Sequence, residues 1–199
     1  SLNINDALYL LHERGKAMQE AVPVGKGSMI AVLGMQTNDL RELLLKRKDD
    51  KGVCEIANDN ADGQVIISGS KDSVQSLQNT LKENKIKSIP LKVSAPFHCS
   101  LMKPAAKIME EKINNVKFND PKFKIVNNVT AKSENNSDII KKLLIDQIFS
   151  TVKWRESLIN MSKSGVENFI EIGPGKVLNG MIKRTIKKAN CFSINSIAD

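Results

Sequence analysis

Between Gly27 and Val93 strand-like and helix-like runs follow one another in an order that constrains the fold more than any other feature of the chain. Strand-like SMIAVLGM (28–35) is followed by helix-like NDLRELLLKRK (38–48), then strand-like VCEIA (53–57) and QVIIS (64–68). Helix-like DSVQSLQNTLKENK (72–85) and strand-like IKSIPLKV (86–93) complete it. The order is β-α-β-β-α-β, with NDNADG (58–63) as a turn-rich loop between the middle strands and Gly34 and Gly69 punctuating strand ends. Such an order predicts a ferredoxin-like subdomain over 27–93, set into a larger α/β unit formed by 1–26 and 94–199. This module is a general scaffold and says little about function.

Outside it, three polar residues sit where the pattern calls for something else. A helix capped by Asn5 or Asp6 carries Leu8, Tyr9, Leu10, Leu11, Ala17 and Met18 and stops at Pro23. Arg14 emerges from its apolar stripe, with Ala7, Leu10, Leu11 and Met18 as helical neighbours, so its guanidinium either snorkels to water or meets an anion. His98, in SAPFHCSLM (94–102), lies in the turn between the strand ending at Val93 and a helix that begins at Pro104 and runs to about Asn115. In open α/β folds such turns face the ligand crevice, and imidazole exchanges protons near neutral pH. Gln147 lies in a helix expected from Asp138 to about Phe149, on the face defined by Ile140, Leu143, Leu144 and Ile148. Its amide needs a partner, either nearby backbone or an imidazole N–H donating to its side-chain carbonyl.

A strand-like KIVNNV (124–129) precedes that helix, and Trp154 opens another, to about Ser164, as a packing anchor. The last unit, ENFIEI, then GPGKVLNGMIKRTIKK, then CFSI, is a β-α-β order that predicts parallel strands. Gly173 to Lys176 look like a phosphate loop, but the required early glycine and following Ser or Thr are replaced by Ile170 and Val177. A tight turn into a helix is the expectation.

Composition excludes several classes. Hydrophobic residues at 41% and charged ones at 26% are ordinary for a globular domain, and no apolar run is long enough to span a membrane. The opening SLNINDAL lacks the pattern of a signal peptide, and the expectation is a cytoplasmic protein. Three widely spaced cysteines, Cys54, Cys99 and Cys191, fit neither a disulfide framework nor a metal site. A net charge of +8 favours an acidic partner. RNA is the weaker choice, because VCEIA and QVIIS offer no aromatic ring for base stacking.

Taken together, HERGKAMQEAVP (12–23), NDNADGQVIISG (58–69), APFHCSLMKPAA (95–106), the pair Asn127 and Asn128, and EIGPGKVLNGMIKR (171–184) strongly resemble the malonyl-CoA:acyl carrier protein transacylase family. The resemblance implies an α/β-hydrolase-like large subdomain holding the ferredoxin-like insert. It also implies that malonyl is moved from coenzyme A to the phosphopantetheine thiol of acyl carrier protein through a malonyl-serine ester. Neither cofactor nor metal is implied, and the intact enzyme is expected to be a monomer acting on neither nucleic acid nor membrane. Residue by residue, His98 matches the catalytic histidine, Gln147 the glutamine whose carbonyl orients it, and Arg14 the arginine that pairs with the malonyl carboxylate. Asn60 and Phe97 fall beside the substrate, Phe97 narrowing the pocket in favour of malonyl.

The family's GHSxG elbow, with its nucleophile serine, and its upstream oxyanion motif have no counterpart here. The chain is therefore expected to be a fragment, inactive alone. A non-catalytic carrier-binding module is the alternative. Lys82, Lys85 and Lys87, with Lys183, Arg184, Lys187 and Lys188, are the candidate docking charges for an acidic carrier protein.

Overall fold

A computed structural model describes residues 2–47 and 52–198, and the end of the second predicted segment, Lys48, lies outside them. Helix α1 (Ile4–Glu20) begins one turn earlier than expected, because the Asn3 side chain accepts the Asp6 N–H at 2.9 Å. Leu10, Ala17 and Met18 are buried, whereas Leu8, Tyr9 and Leu11 of the predicted stripe are exposed. The buried side of α1 lies against α4 (Lys103–Asn114), with Met102, Ala105, Met109 and Ile113 in the shared core.

Strands β1 (Gly27–Leu33), β2 (Cys54–Ala61), β3 (Gln64–Ser70) and β4 (Lys87–Pro90) form one sheet in the order β2-β3-β1-β4. The β1–β3, β1–β4 and β2–β3 pairings are all antiparallel. Helices α2 (Thr37–Lys46) and α3 (Lys71–Glu83) cover the face that presents Ile30, Val32, Val65 and Ile67, where Leu40, Val74, Leu77 and Leu81 are fully buried. Each such side chain contributes roughly 1.5–3 kcal/mol by leaving water. Met29, Ala31, Ala57 and Ile66 line the opposite face, which Leu91 and Phe97 cover. The surface that an RNA-reading sheet would offer is thus occupied by the protein itself.

Two predicted boundaries move here. β4 is four residues long rather than the eight of 86–93. The expected loop at 58–63 is largely strand, since β2 runs through Ala61 and only Asp62 and Gly63 turn, the latter at φ 66°. The polar Asn58–Asn60 stretch stays extended because a second partner pairs with it. Asp59 N–H donates to Val152 O at 3.0 Å, Val152 N–H donates to Ala57 O at 2.8 Å, and register shifts at Ile56/Asn58 and Asp59/Ala61 accommodate the fit.

The remaining segments are β5 (Ile125–Val126), β6 (Ser133–Glu134), α5 (Ser137–Asp146), α6 (Trp154–Lys163), β7 (Asn168–Ile172), α7 (Val177–Thr185) and β8 (Asn190–Ile194). The predicted strand at 124–129 shrinks to a two-residue hairpin arm. β7 and β8 pair in parallel as expected, and Trp154 packs with Leu158, Phe169 and Ile182 beneath them. Ahead of α7, the Glu171 carboxyl oxygens accept the Leu178 and Asn179 N–H groups at 3.0 and 2.8 Å. The helix N-terminus is already occupied by a carboxylate of the chain itself, the group that a phosphate would otherwise stand in for.

Gly27 is a point of close approach between the sheet and the loop before α4. A Cβ there would come within 2.4 Å of the Pro96 ring.

Candidate active site

His98 occupies the turn between Phe97 and the 3₁₀ turn Ser100–Met102, at φ 57°. A non-glycine residue in the left-handed region costs on the order of 1–3 kcal/mol and persists only where its surroundings over-determine it. Several bonds do so. Phe97 N–H donates to Ala95 O, the buried Cys99 thiol donates to Pro96 O, and Met102 N–H donates to Cys99 O. Ser100 gives both its N–H and its hydroxyl to the two Glu55 carboxyl oxygens, at 2.9 and 2.5 Å. Burial pushes the Cys99 thiol pKa up, so this neighbour is not a ready nucleophile.

The expected contact between Gln147 and the imidazole is present, but a different carbonyl makes it. α5 ends at Asp146 rather than Phe149, and Gln147 is its C-cap, donating its N–H to Leu143 O. The last carbonyls of a helix have no acceptor role left within it. The Gln147 main-chain carbonyl, not its side chain, therefore accepts from His98 Nδ1 at 2.9 Å. A carbonyl only accepts, so this contact places the imidazole proton on Nδ1 and leaves the Nε2 lone pair open. The side-chain amide oxygen of Gln147 is thereby released for Arg14, whose Nη2 donates to it at 2.8 Å. Of the predicted buried face of α5, Ile140, Leu143 and Ile148 are buried and Leu144 is exposed.

Arg14, Gln147 and His98 thus form one hydrogen-bonded line of three half-buried residues, which passes through both the side chain and the main chain of Gln147. Its electrostatics favour a neutral base. Burial lowers the His98 pKa, the Gln147 carbonyl partly opposes this, and the positive charge of Arg14 lowers it further. Burial also lowers the Arg14 pKa, from a value so high that the guanidinium stays charged. Among the described residues no Asp or Glu pairs with Arg14. The adjacent Glu13 is taken by Lys112 of α4. A half-buried cation with only a neutral amide as partner has the chemistry to receive an anion.

Other expected residues are less central. Phe97 packs against both the α1–α4 core and the sheet face containing Met29 and Ala57, so it works as a wedge between them. Asn60 is half-buried on β2, and none of the described hydrogen bonds joins it to Arg14, His98 or Gln147. Among the described residues no serine hydroxyl bonds to His98; that of Ser100 is held by Glu55 and that of Ser94 accepts from Gln19. Lys82, Lys85 and Lys87 line one depression of about 490 Å³ beside β4. Lys183, Arg184, Lys187 and Lys188 are exposed at the end of α7, a helix that packs against β2, on the far edge of the sheet. The two basic groups are separate patches. Glu55 and Thr151 went unnoticed in the sequence, since a lone polar residue in a strand and a threonine after a helix carry no signal of their own.

The model of the acyl transferase domain family matches residues 1–198. The malonyl CoA-acyl carrier protein transacylase of Bacillus subtilis is 38% identical over 196 residues, which are 98% of this chain and 62% of the relative. The crystal structure of the transacylase of the same name from Clostridium perfringens superposes with a TM-score of 0.94 at 36% identity, covering 99% of this chain and 62% of that one. A malonyl-transacylase solved in complex with its type II PKS acyl-carrier protein gives 0.93 at 34% identity, over 99% of this chain and 64% of that one. The chain spans less than two thirds of the length of these relatives.

Proposed function

The chain belongs to the acyl transferase domain family, and from that premise we propose that it carries the base and the acid-selecting cation of a malonyl-CoA:acyl carrier protein transacylase. The observation that supports this reading most is the line Arg14–Gln147–His98, in which a cation lacking a protein anion stands beside an imidazole kept neutral. On this reading Arg14 pairs with the free carboxylate of a malonyl thioester, while Asn60 and Phe97 border the acyl group. The nucleophile serine belongs to the further length that the relatives possess. We read 27–93 as a ferredoxin-like small subdomain and 1–26 with 94–199 as part of an α/β-hydrolase-like large one.

The chemistry is two acyl transfers with one base. His98 Nε2 takes the serine proton as the hydroxyl attacks the thioester, and returns it to the departing coenzyme A sulfur. Then Nε2 takes the proton of the carrier's phosphopantetheine thiol as sulfur attacks the malonyl-serine ester, and returns it to the serine oxygen. The Gln147 carbonyl holds the ring in the tautomer that both steps require. Among the described residues no carboxylate bonds to the imidazole, so the base recovers its neutral form readily. The partners on this reading are a coenzyme A thioester and an acidic acyl carrier protein in the cytoplasm, met by a monomer. The exposed lysines and arginine at the two sheet edges are docking charges, and no metal or cofactor takes part.

The test is Arg14→Ala in the full-length protein that contains this chain. Malonyl transfer should fall roughly a hundredfold or more, the scale of a truncated buried charge pair. Acetyl transfer should improve relative to malonyl, because an uncharged acyl group no longer strands a buried guanidinium. Equal losses for the two substrates would sink the selecting role.

A further inference from the structure

Strand β2 touches both pieces of chain that make the Nδ1 contact of His98. On one side, Glu55 receives two hydrogen bonds from Ser100, two residues beyond His98. On the other, Thr151 Oγ1 donates to Ile56 O at 2.6 Å, Val152 pairs with Ala57 and Asp59, and Arg155 grips the Asp59 carboxylate through Nε and Nη2 at 2.9 and 2.8 Å. Gln147 stands four residues before Thr151, with the fully buried Ile148 between them. Residues 55–59 of one strand therefore fix the distance between the turn that carries the imidazole and the segment that carries its acceptor.

Only the Glu55 end of this bar reaches the left-handed turn. The His98 conformation is one that a side chain adopts only when held, and Glu55 is the one carboxyl group bonded to the turn among the described residues. Two acceptors on two donors of a single residue fix Ser100 in position and in rotation, which a lone bond does not.

We propose that Glu55 is a positioning residue for His98: by holding Ser100 it keeps the imidazole at the Gln147 carbonyl and so keeps the proton on Nδ1 and the lone pair on Nε2. This rests on reading His98 as the general base, but it is read out without substrate.

The chain holds two histidines, His12 exposed on α1 and His98, so ¹⁵N NMR of histidine-labelled protein reports the ring state of each. Wild-type His98 should be the Nδ1–H tautomer when neutral. Glu55→Ala should move the ratio of tautomers about three- to tenfold toward Nε2–H, the range expected when one hydrogen bond is lost, and leave the His12 signal in place. Glu55→Gln keeps one carbonyl for the Ser100 N–H and should fall between the two. Ser100→Ala, which removes a single hydroxyl, should move the ratio in the same direction by less. That variant carries the test if Glu55→Ala does not fold. Loss of thermal stability in Glu55→Ala with the wild-type tautomer ratio would reduce Glu55 to a structural brace and overturn the proposal, as would an unchanged ratio in both Glu55→Gln and Ser100→Ala. The malonyl reading fails separately, through Arg14→Ala and acyl selectivity.

Discussion

The proton equilibrium of His98 has consequences for both folding and rate. Its folded pKa lies below its unfolded value of about 6.5, because burial and Arg14 disfavour the imidazolium. Between those two values the unfolded chain binds more protons, so stability rises with pH across that interval. As pH falls through about 6.5 the contribution becomes unfavourable, and the loss is complete below the folded pKa. Urea midpoints at about pH 7.5 and about pH 5.5 should therefore differ more in the wild type than in His98→Gln, and equal differences would contradict the assignment. On the proposed reading of His98 as general base, the acid limb of kcat/KM for the full-length protein should fall below the ordinary histidine range. Arg14 and His98 were legible in the sequence, because a charge on an apolar stripe and an imidazole in a strand-to-helix turn both violate a local pattern. A Gln147 carbonyl at the imidazole was expected too, but which of its two carbonyls makes the contact was not legible. The contact uses the Gln147 main chain, and side-chain periodicity carries no information about which carbonyl a helix end leaves open.

At the level of elements, β2 organises the molecule, because it carries the sheet edge, the Glu55 grip and the clasp on the segment before α6. Asp59 and Arg155 close that clasp in bidentate geometry with little exposure. Asp59→Ala and Arg155→Ala should each cost about 1–3 kcal/mol by urea unfolding, with the double variant losing much less than the sum. Additive losses would show that the two side chains act independently. The β-α-β-β-α-β order was readable because its central strands are short apolar runs, buried on both faces around Ile30, Val32, Val65 and Ile67, set between helix-like stretches. Asn58–Ala61 misled because polar residues with a following Asp-Gly read as a loop, whereas pairing with β3 and with Val152, a partner distant in sequence, makes them strand. β5 and β6, at two residues each, lie below what any alternation registers.

Across the whole molecule, apolar surface is distributed unevenly. Ile170, Ile172, Phe192 and Ile194 are exposed on one face of the parallel pair β7–β8, and Ile4, Leu8 and Leu11 are exposed on α1. Parallel strands are ordinarily covered on both faces. The chain by itself should bind a hydrophobic dye while folded, and Ile170→Ser with Phe192→Ser should reduce that binding while changing stability by only about 0.5 kcal/mol. Dye binding unaffected by the pair would place the sticky surface elsewhere. Gly27 has a reach of a different kind. One added methyl group there meets the Pro96 ring, and Pro96 stands two residues from the imidazole. Gly27→Ala should destabilise by about 1–3 kcal/mol through overpacking, and in the full-length enzyme the surviving folded molecules should still turn over slowly. A mutational scan scored on activity would then rank this remote glycine among the residues of the reaction, although it holds no proton, no charge and no substrate.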